Sequence, residues 1–369
     1  MKGHILYGVL NWGLGHATRS KPIIDQLLQH GFEVTLASDG EALEWLQGEF
    51  PQLSVLRLPG YKVRYARGRH QLPKLLSQLP RLAYVAQKEN QLVARFYKRH
   101  GFTGLISDNR LGFFHAAVPS AYLTHQLQVP VRYGAAFARW AHQRYYQKFS
   151  ALWIPDGPER TLSAGLSQAP ISCKNKLQFT GNLSRFTRLT GTRTREIVAI
   201  LSGPEPQRTL LDQAIRTAMQ AWPGPRFHLV TGVENPTPSP QEAITVHGRL
   251  SSADLQKLLQ RAQVVISRSG YSSIMDYAAL GTKAVLIPTP GQGEQEFLAK
   301  THQTKYAIGQ QNTLNLKALC EEALRKPGRF LEPAPDNQWS KLFGLFEGKR
   351  EGWACIFTAS YVNSLLVRF

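Results

Sequence analysis

Two short stretches carry residue types whose spacing can do chemistry. The first is Ser267-Arg268-Ser269-Gly270-Tyr271-Ser272-Ser273-Ile274-Met275-Asp276, an apolar strand end that opens through small and hydroxyl residues into a helix. Such a turn suits a phosphate. Gly270 admits close backbone approach, Ser269 and the free N–H groups of the new helix can hold diphosphate oxygens, and the positive end of the helix dipole favours the anion. Asp276, further along that helix, can accept both hydroxyls of a ribose if it faces the same cleft. The second stretch is Pro288–Phe297, a strand end and glycine loop in which Gln295 and Glu296 offer amide and carboxylate groups for sugar hydroxyls. Each has a plainer explanation, since small residues commonly cap helices and Glu294 and Glu296 complement a helix dipole wherever they occur.

Near the N-terminus, Gly13-Leu14-Gly15-His16-Ala17-Thr18-Arg19 follows the apolar run Gly3–Leu10. A histidine there can serve as a general base, and a carboxylate beside it would orient the ring and stabilise its cation. Asp108 ends another short strand and is the candidate partner; an Asx turn before Asn109 is the competing explanation. His125 and Gln126 end a further strand. The loop Ser202–Pro206 with Arg208, and the pair Arg249-Leu250, end strands in the second half of the chain.

These residues need a scaffold that gathers strand ends. Gly3–Leu10, a helix over Lys21–His30 and Phe32–Ala37 form a βαβ unit, hence a parallel sheet. Gly104–Ser107, Tyr122–Thr124 and Ala151–Ile154 continue it. A second alternation begins at Ile197–Leu201 and runs through Phe227–Thr231, Ile244–His247, Val264–Ser267 and Ala284–Ile287, with helices at Gln207–Trp222, Ser252–Arg261 and Ser272–Leu280. The expected fold is α/β: two Rossmann-like, doubly wound parallel-sheet domains facing a cleft, with ligands at strand carboxyl ends. The expected organisation is a first domain over 1–156, a connection over 157–195, a second domain over 196–335 and a tail over 336–369 that packs back on the first.

The two stretches within Val264–Ala299 together resemble the donor-nucleotide signature of GT-B glycosyltransferases, most closely the MurG-like enzymes, and the GxGHxxR loop resembles that family's glycine-rich loop. The resemblance implies inverting transfer of a hexose or N-acetylhexosamine from a UDP-sugar, with His16 as base and Asp108 its partner. It implies donor contacts from Gly15, Ser202, Gly203, Arg208, Arg249, Leu250, Ser269, Gly270, Asp276, Gln295 and Glu296. Acceptor-side contacts would come from Arg19, His125 and Gln126. Asp276 stands where MurG has glutamate, and Glu296 where it has glutamine. The class works without a metal, and the sequence has no HExxH or CxxC motif; no cofactor is implied. A UDP-sugar 2-epimerase of the same fold and a non-enzymatic polyanion-binding protein are the alternatives.

Composition bears on partners. At 369 residues with formal charge +19, the chain favours an anionic partner. Between Tyr61 and His100 stand Lys62, Arg64, Arg67, Arg69, Lys74, Arg81, Lys88, Arg95, Lys98 and Arg99 against Glu89 alone. With Leu72, Leu75, Leu76, Leu79 and Leu82, residues 61–100 read as a face for anionic lipid that presents a membrane-associated or lipid-linked acceptor, the acceptor itself being unknown. No nucleic-acid motif accompanies them. Cys173, Cys320 and Cys355 are far apart and fit a reducing compartment, so the expected location is cytoplasmic, with peripheral contact at the inner face of the plasma membrane.

Overall fold

The computed structural model describes residues 2–62, 77–127, 144–188 and 193–347. The first sheet is built from β1 (Gly3–Val9), β2 (Phe32–Ser38), β3 (Ser54–Arg57), β4 (Gly104–Asp108), β5 (Ser120–Leu123), β6 (Ala151–Ile154) and β7 (Leu177–Phe179). Its helices include α1 (Leu14–Gln29), α2 (Gly40–Glu49) and α3 (Leu79–His100). The strand order is β3-β2-β1-β4-β5-β6-β7, and every pairing is parallel. β1, β4, β5 and β6 are almost wholly buried, as strands covered by helices on both faces must be.

The second sheet contains β8 (Ile197–Ile200), β9 (Phe227–Val230), β10 (Ile244–His247), β11 (Val264–Ser267), β12 (Ala284–Leu286) and β13 (Ala307–Ile308) in the order β10-β9-β8-β11-β12-β13, again all parallel. Around it lie α4 (Gln207–Gln220), α5 (Ser252–Arg261), α6 (Tyr271–Leu280), α7 (Gly293–His302) and α8 (Leu316–Arg325). Chain order reverses between β1 and β4 in the first sheet and between β8 and β11 in the second. Those two switch points leave a crevice at the strand carboxyl ends, where ligands of doubly wound sheets bind.

The segment expected as a bare connection contributes β7 to the first sheet. β3, β7 and β13 were absent from the sequence expectation. They are sheet edges of two to four residues, too short for a period of two to register. A last helix, α9 (Asp336–Glu347), returns to the first domain. Phe343, wholly buried, meets Phe32 edge-on at 5.9 Å and lies 6.2 Å from Trp153. Phe346 also packs against both, and Lys2 pairs with Glu347 at 2.8 Å. The tail beyond 347 lies outside the described residues.

Two buried arginines fasten loops. Arg110 binds Glu89 through Nε, Asp39 at 2.8 Å and the carbonyls of Val9 and Pro59. Arg268 reaches the Gln207 carbonyl at 2.8 Å and Gln311 at 2.5 Å. α3 docks so closely beside Arg110 that a Cβ on Gly112 would lie 1.9 Å from the Ala86 carbonyl oxygen.

Truncating Phe343 to alanine should cost the first domain about 3–5 kcal/mol, the usual penalty for a buried aromatic. Hydrogen exchange is expected to accelerate in β2 and β6 while β8 keeps its protection; equal acceleration in both sheets would show that α9 stabilises the two domains alike.

Candidate active site

α1 starts at the switch point of the first sheet. Gly13, at φ 84°, turns the chain there, in a backbone region glycine reaches without strain. His16 follows in the first turn of α1, facing the end of β4. Its Nδ1 lies 2.7 Å from Asp108 Oδ1. A lone pair on Nδ1 would face the carboxylate repulsively, so Nδ1 carries the proton, and the Nε2 lone pair is left free to accept another. The ring keeps 14% of its surface exposed whereas Asp108 has none.

Arg19, one turn further along α1, clasps the same carboxylate. Its Nε donates to Asp108 Oδ2 at 2.7 Å and its Nη2 to Oδ1. Nη2 and His16 Nδ1, 3.0 Å apart, are two donors converging on one oxygen. The Ser20 hydroxyl, bonded to the His16 carbonyl at 2.8 Å, lies 3.2 Å from Oδ2. Burial alone would raise the Asp108 pKa; Arg19 and then His16 override it and hold the carboxyl at about 2. His16 is shifted below its ordinary value by burial first and by the Arg19 charge second. It is therefore neutral, and competent as a base, near neutral pH.

The remaining Arg19 nitrogen, Nη1, donates to His125 Nδ1 at 2.8 Å. This fixes the second histidine: Nδ1 accepts, so Nε2 bears the proton and donates to Glu294 Oε1 at 2.9 Å. Glu294 stands in the first turn of α7, in the other domain. Tyr271, first residue of α6, stacks on His125 at 4.1 Å and 11° and donates its hydroxyl to the Pro155 carbonyl at 2.7 Å. One polar chain thus runs His16, Asp108, Arg19, His125, Glu294 across the interface.

Beside it lies a cleft of about 150 Å³ between α1 and the second sheet, lined by Gly15, Ser202, Arg249, Leu250 and Asp276 and also by Trp45, Arg185, Ser272 and Ser273. The domains approach closely here, since a Cβ on Gly15 would sit 2.7 Å from the Ser272 hydroxyl. The N-terminus of α6 has no side-chain cap and no acid in its first turn, so its N–H groups and dipole are left for an anion. Asp276 accepts from the Ser184 hydroxyl at 2.7 Å. Burial pushes its pKa up to about 6, against the lowering effects of Arg185 and Ser184.

Not every expected residue reaches these sites. The Ser269 hydroxyl is buried on the Gln295 carbonyl at 2.8 Å, the Gln295 side chain accepts from the Thr289 N–H at 2.8 Å, and Glu296 accepts from the Gly291 N–H at 2.8 Å. These three fasten the loop between β12 and α7, and Gly270, the N-cap of α6, offers backbone only. Arg208 pairs with Glu205 at 2.9 Å, and neither it nor Gly203 lines the cleft. Gln126 is half-buried, its backbone N–H turned to Thr124. Glu294, Arg185 and Tyr271 were missed. Glu294 reads as an ordinary acid at a helix start, and the register of a helix against another domain is a tertiary fact. Among the described residues, no cluster of three or more His, Cys, Asp or Glu could hold a metal ion.

Comparison with known proteins bears on the family and the fold. Residues 226–329 match the glycosyltransferase family 28 C-terminal domain, and residues 3–119 match the model named glycosyl transferase family 1. The chain is 25% identical to the UDP-N-acetylglucosamine--N-acetylmuramyl-(pentapeptide) pyrophosphoryl-undecaprenol N-acetylglucosamine transferase of Methylobacterium sp. (strain 4-46), with 76% of each covered. Among solved structures it resembles glycosyltransferase SnogD from Streptomyces nogalater (TM-score 0.60, 16% identity, 93% of this chain and 99% of that one). It also resembles MurG of Acinetobacter baumannii (TM-score 0.53, 14% identity, 93% and 99%). Fold and matches define a glycosyltransferase of the GT-B architecture. Within the chain, residues 226–329 carry the family 28 likeness, and the whole is MurG-like in fold.

Asp276 carries a checkable pH signature. A carboxyl held above its ordinary value keeps a proton in the fold that the unfolded chain has released, so stability falls as pH rises between about 4 and 6. Asp276→Asn, which retains an acceptor for Ser184, should match the parent at low pH and exceed it at pH 8 by on the order of 3 kcal/mol. Urea midpoints at both pH values measure this; a constant difference would mean that Asp276 does not titrate in that window.

Proposed function

We propose that the protein transfers a hexose or N-acetylhexosamine from a UDP-sugar to an acceptor hydroxyl with inversion at the anomeric carbon. The observation that carries this reading is the adjacency of base and cleft: Gly15 lines the crevice between the domains, and the next residue, His16, holds Asp108 through Nδ1, which leaves Nε2 as its basic nitrogen. The uncapped start of α6 takes the diphosphate and Asp276 the ribose hydroxyls, with Ser202, Arg249 and Leu250 completing the nucleotide side. The acceptor O–H loses its proton to His16 Nε2, and its oxygen forms the new bond to C1. The C1–O bond to the β-phosphate breaks, and its electron pair leaves on the diphosphate, stabilised by the α6 N–H groups.

The acceptor side of this reading is membrane-associated. Arg81, Lys88, Arg95, Lys98 and Arg99 are all exposed along α3, as are Leu79 and Tyr84, while Glu89 is turned inward onto Arg110 and Tyr61. The outer face of this helix therefore has no acid to offset its cations. Arg64, Arg67, Arg69, Lys74, Leu72, Leu75 and Leu76 lie outside the described residues. Among those described, no helix is long and apolar enough to cross a membrane, so contact would be peripheral, through charge and the exposed apolar side chains.

His16→Ala should abolish transfer and leave UDP binding within about twofold, while Asp276→Ala should weaken UDP binding about tenfold or more. Calorimetry with UDP, and product analysis with UDP-GlcNAc and UDP-glucose, separate the two; the opposite pattern would reverse the assigned roles, and an epimer released without acceptor would replace transfer by 2-epimerisation. Sedimentation with vesicles should depend on anionic lipid and weaken with salt. Binding indifferent to both would remove the membrane from the reading.

A further inference from the structure

A histidine that accepts a proton needs a negative charge to stabilise the resulting cation, and in a simple His–Asp pair the aspartate supplies it. Here Asp108 cannot do so unaided. The Arg19 guanidinium is clamped on both carboxylate oxygens, so within the first domain the two charges cancel, and His16 faces a neutral pair. The charge that would complete the balance stands in the second domain. Glu294 is joined to Arg19 through His125, whose protonation pattern is fixed by its two contacts. Burial raises the Glu294 carboxyl pKa, and His125, then His16 and Arg19, draw it below its ordinary range.

We infer that Glu294 is a positioning residue that completes the base: closure of the second domain brings its carboxylate to His125, and only then does the cluster hold the net negative charge that an imidazolium on His16 requires. The groups that bear on His16 are Arg19 on its own helix, Asp108 at the end of β4, His125 after β5, and Glu294 on α7. With two carboxylates and one guanidinium, the closed cluster carries charge −1 and becomes neutral as His16 takes the acceptor proton. Open, the same cluster starts neutral and would become a buried cation, which is strongly disfavoured. Basicity is thereby coupled to closure, and an open enzyme is a poor base. Tyr271, stacked on His125 from the same domain, sets the ring in line with Glu294. This deepens the reading of His16 as the base and rests on it.

The test removes charges while preserving shape. In protein labelled with 15N at histidine, the titration midpoint of His16, identified with His16→Asn, is measured without ligand for the parent, Glu294→Gln, Arg19→Met and the double variant. Glu294→Gln should lower the midpoint by roughly one pH unit, Arg19→Met should raise it by a similar amount, and the double variant should return close to the parent. Transfer assays should run in parallel. Glu294→Gln should reduce kcat about tenfold with little change in KM for donor, and adding Arg19→Met should restore part of that loss. If Glu294 acts only by contacting the sugar, the His16 midpoint will not move and Arg19→Met will rescue nothing; either result overturns the inference. Should Arg19→Met fail to fold, the Glu294→Gln midpoint decides alone. If the parent transfers no sugar, the glycosyltransfer reading fails, and the midpoints still show whether Glu294 supports His16.

Discussion

The carboxylate of Asp108 is the point on which the molecule's two halves depend. It is wholly buried at the end of β4 and receives donors from His16 and Arg19, both on α1. An isolated carboxylate in that position would cost several kcal/mol, so its partners are obligatory. They fix the rotation of α1 about its axis, because residues three apart lie on one helix face. Once α1 is set, Gly15 faces the second domain, and the distance between the domains follows from the small residues on each side.

The same constraint accounts for the polar chain that crosses the interface from His16 to Glu294. Arg19 has more donors than Asp108 has room for, and the surplus one goes to His125. His125 then has a single proton, which it gives to Glu294. Each step leaves no choice of tautomer to the next. Buried polar networks are favourable only when every member is satisfied, and here the last acceptor belongs to a different domain. Other crossings reinforce it, among them Ser252 to Glu49 at 2.8 Å, Tyr271 to Pro155, and the return of α9.

Much of this was legible in the sequence because it follows from patterns along a strand or around a helix. Apolar runs mark the inner strands of both sheets and polar residues their carboxyl ends, which makes Asp108 a candidate partner of His16 with an Asx turn before Asn109 as the competing explanation. Ser202, Arg249 and Leu250 follow strand ends and Asp276 lies in the helix after one; their donor-side roles are what the resemblance to MurG-like enzymes implies. What could not be read is tertiary. Gln295 and Glu296 are suited to a sugar by residue type, yet their side chains close the loop that precedes and starts α7. Glu294, one residue earlier, points across the interface. A shift of one residue turns a helical side chain by about 100°, and nothing in the local pattern reports which face meets the other domain. Glu89 was similarly opaque: counted with the surface charge, it is buried against Arg110 and Tyr61.

Placing the base's countercharge on a second domain has a chemical rationale. A donor sugar on diphosphate is prone to attack by water, and a base that is always competent would activate water as readily as an acceptor. Arg19 removes that competence in the open molecule by neutralising Asp108 at all times. On the inference drawn above, closure would restore it by delivering Glu294, and a closed cleft would also exclude solvent. Two separate functions, exclusion of water and activation of the base, then depend on a single contact between α7 and His125. A simpler His–Asp pair would be the stronger base in isolation, but it would lack this dependence. The guanidinium that weakens the base is therefore what ties its strength to the closed state.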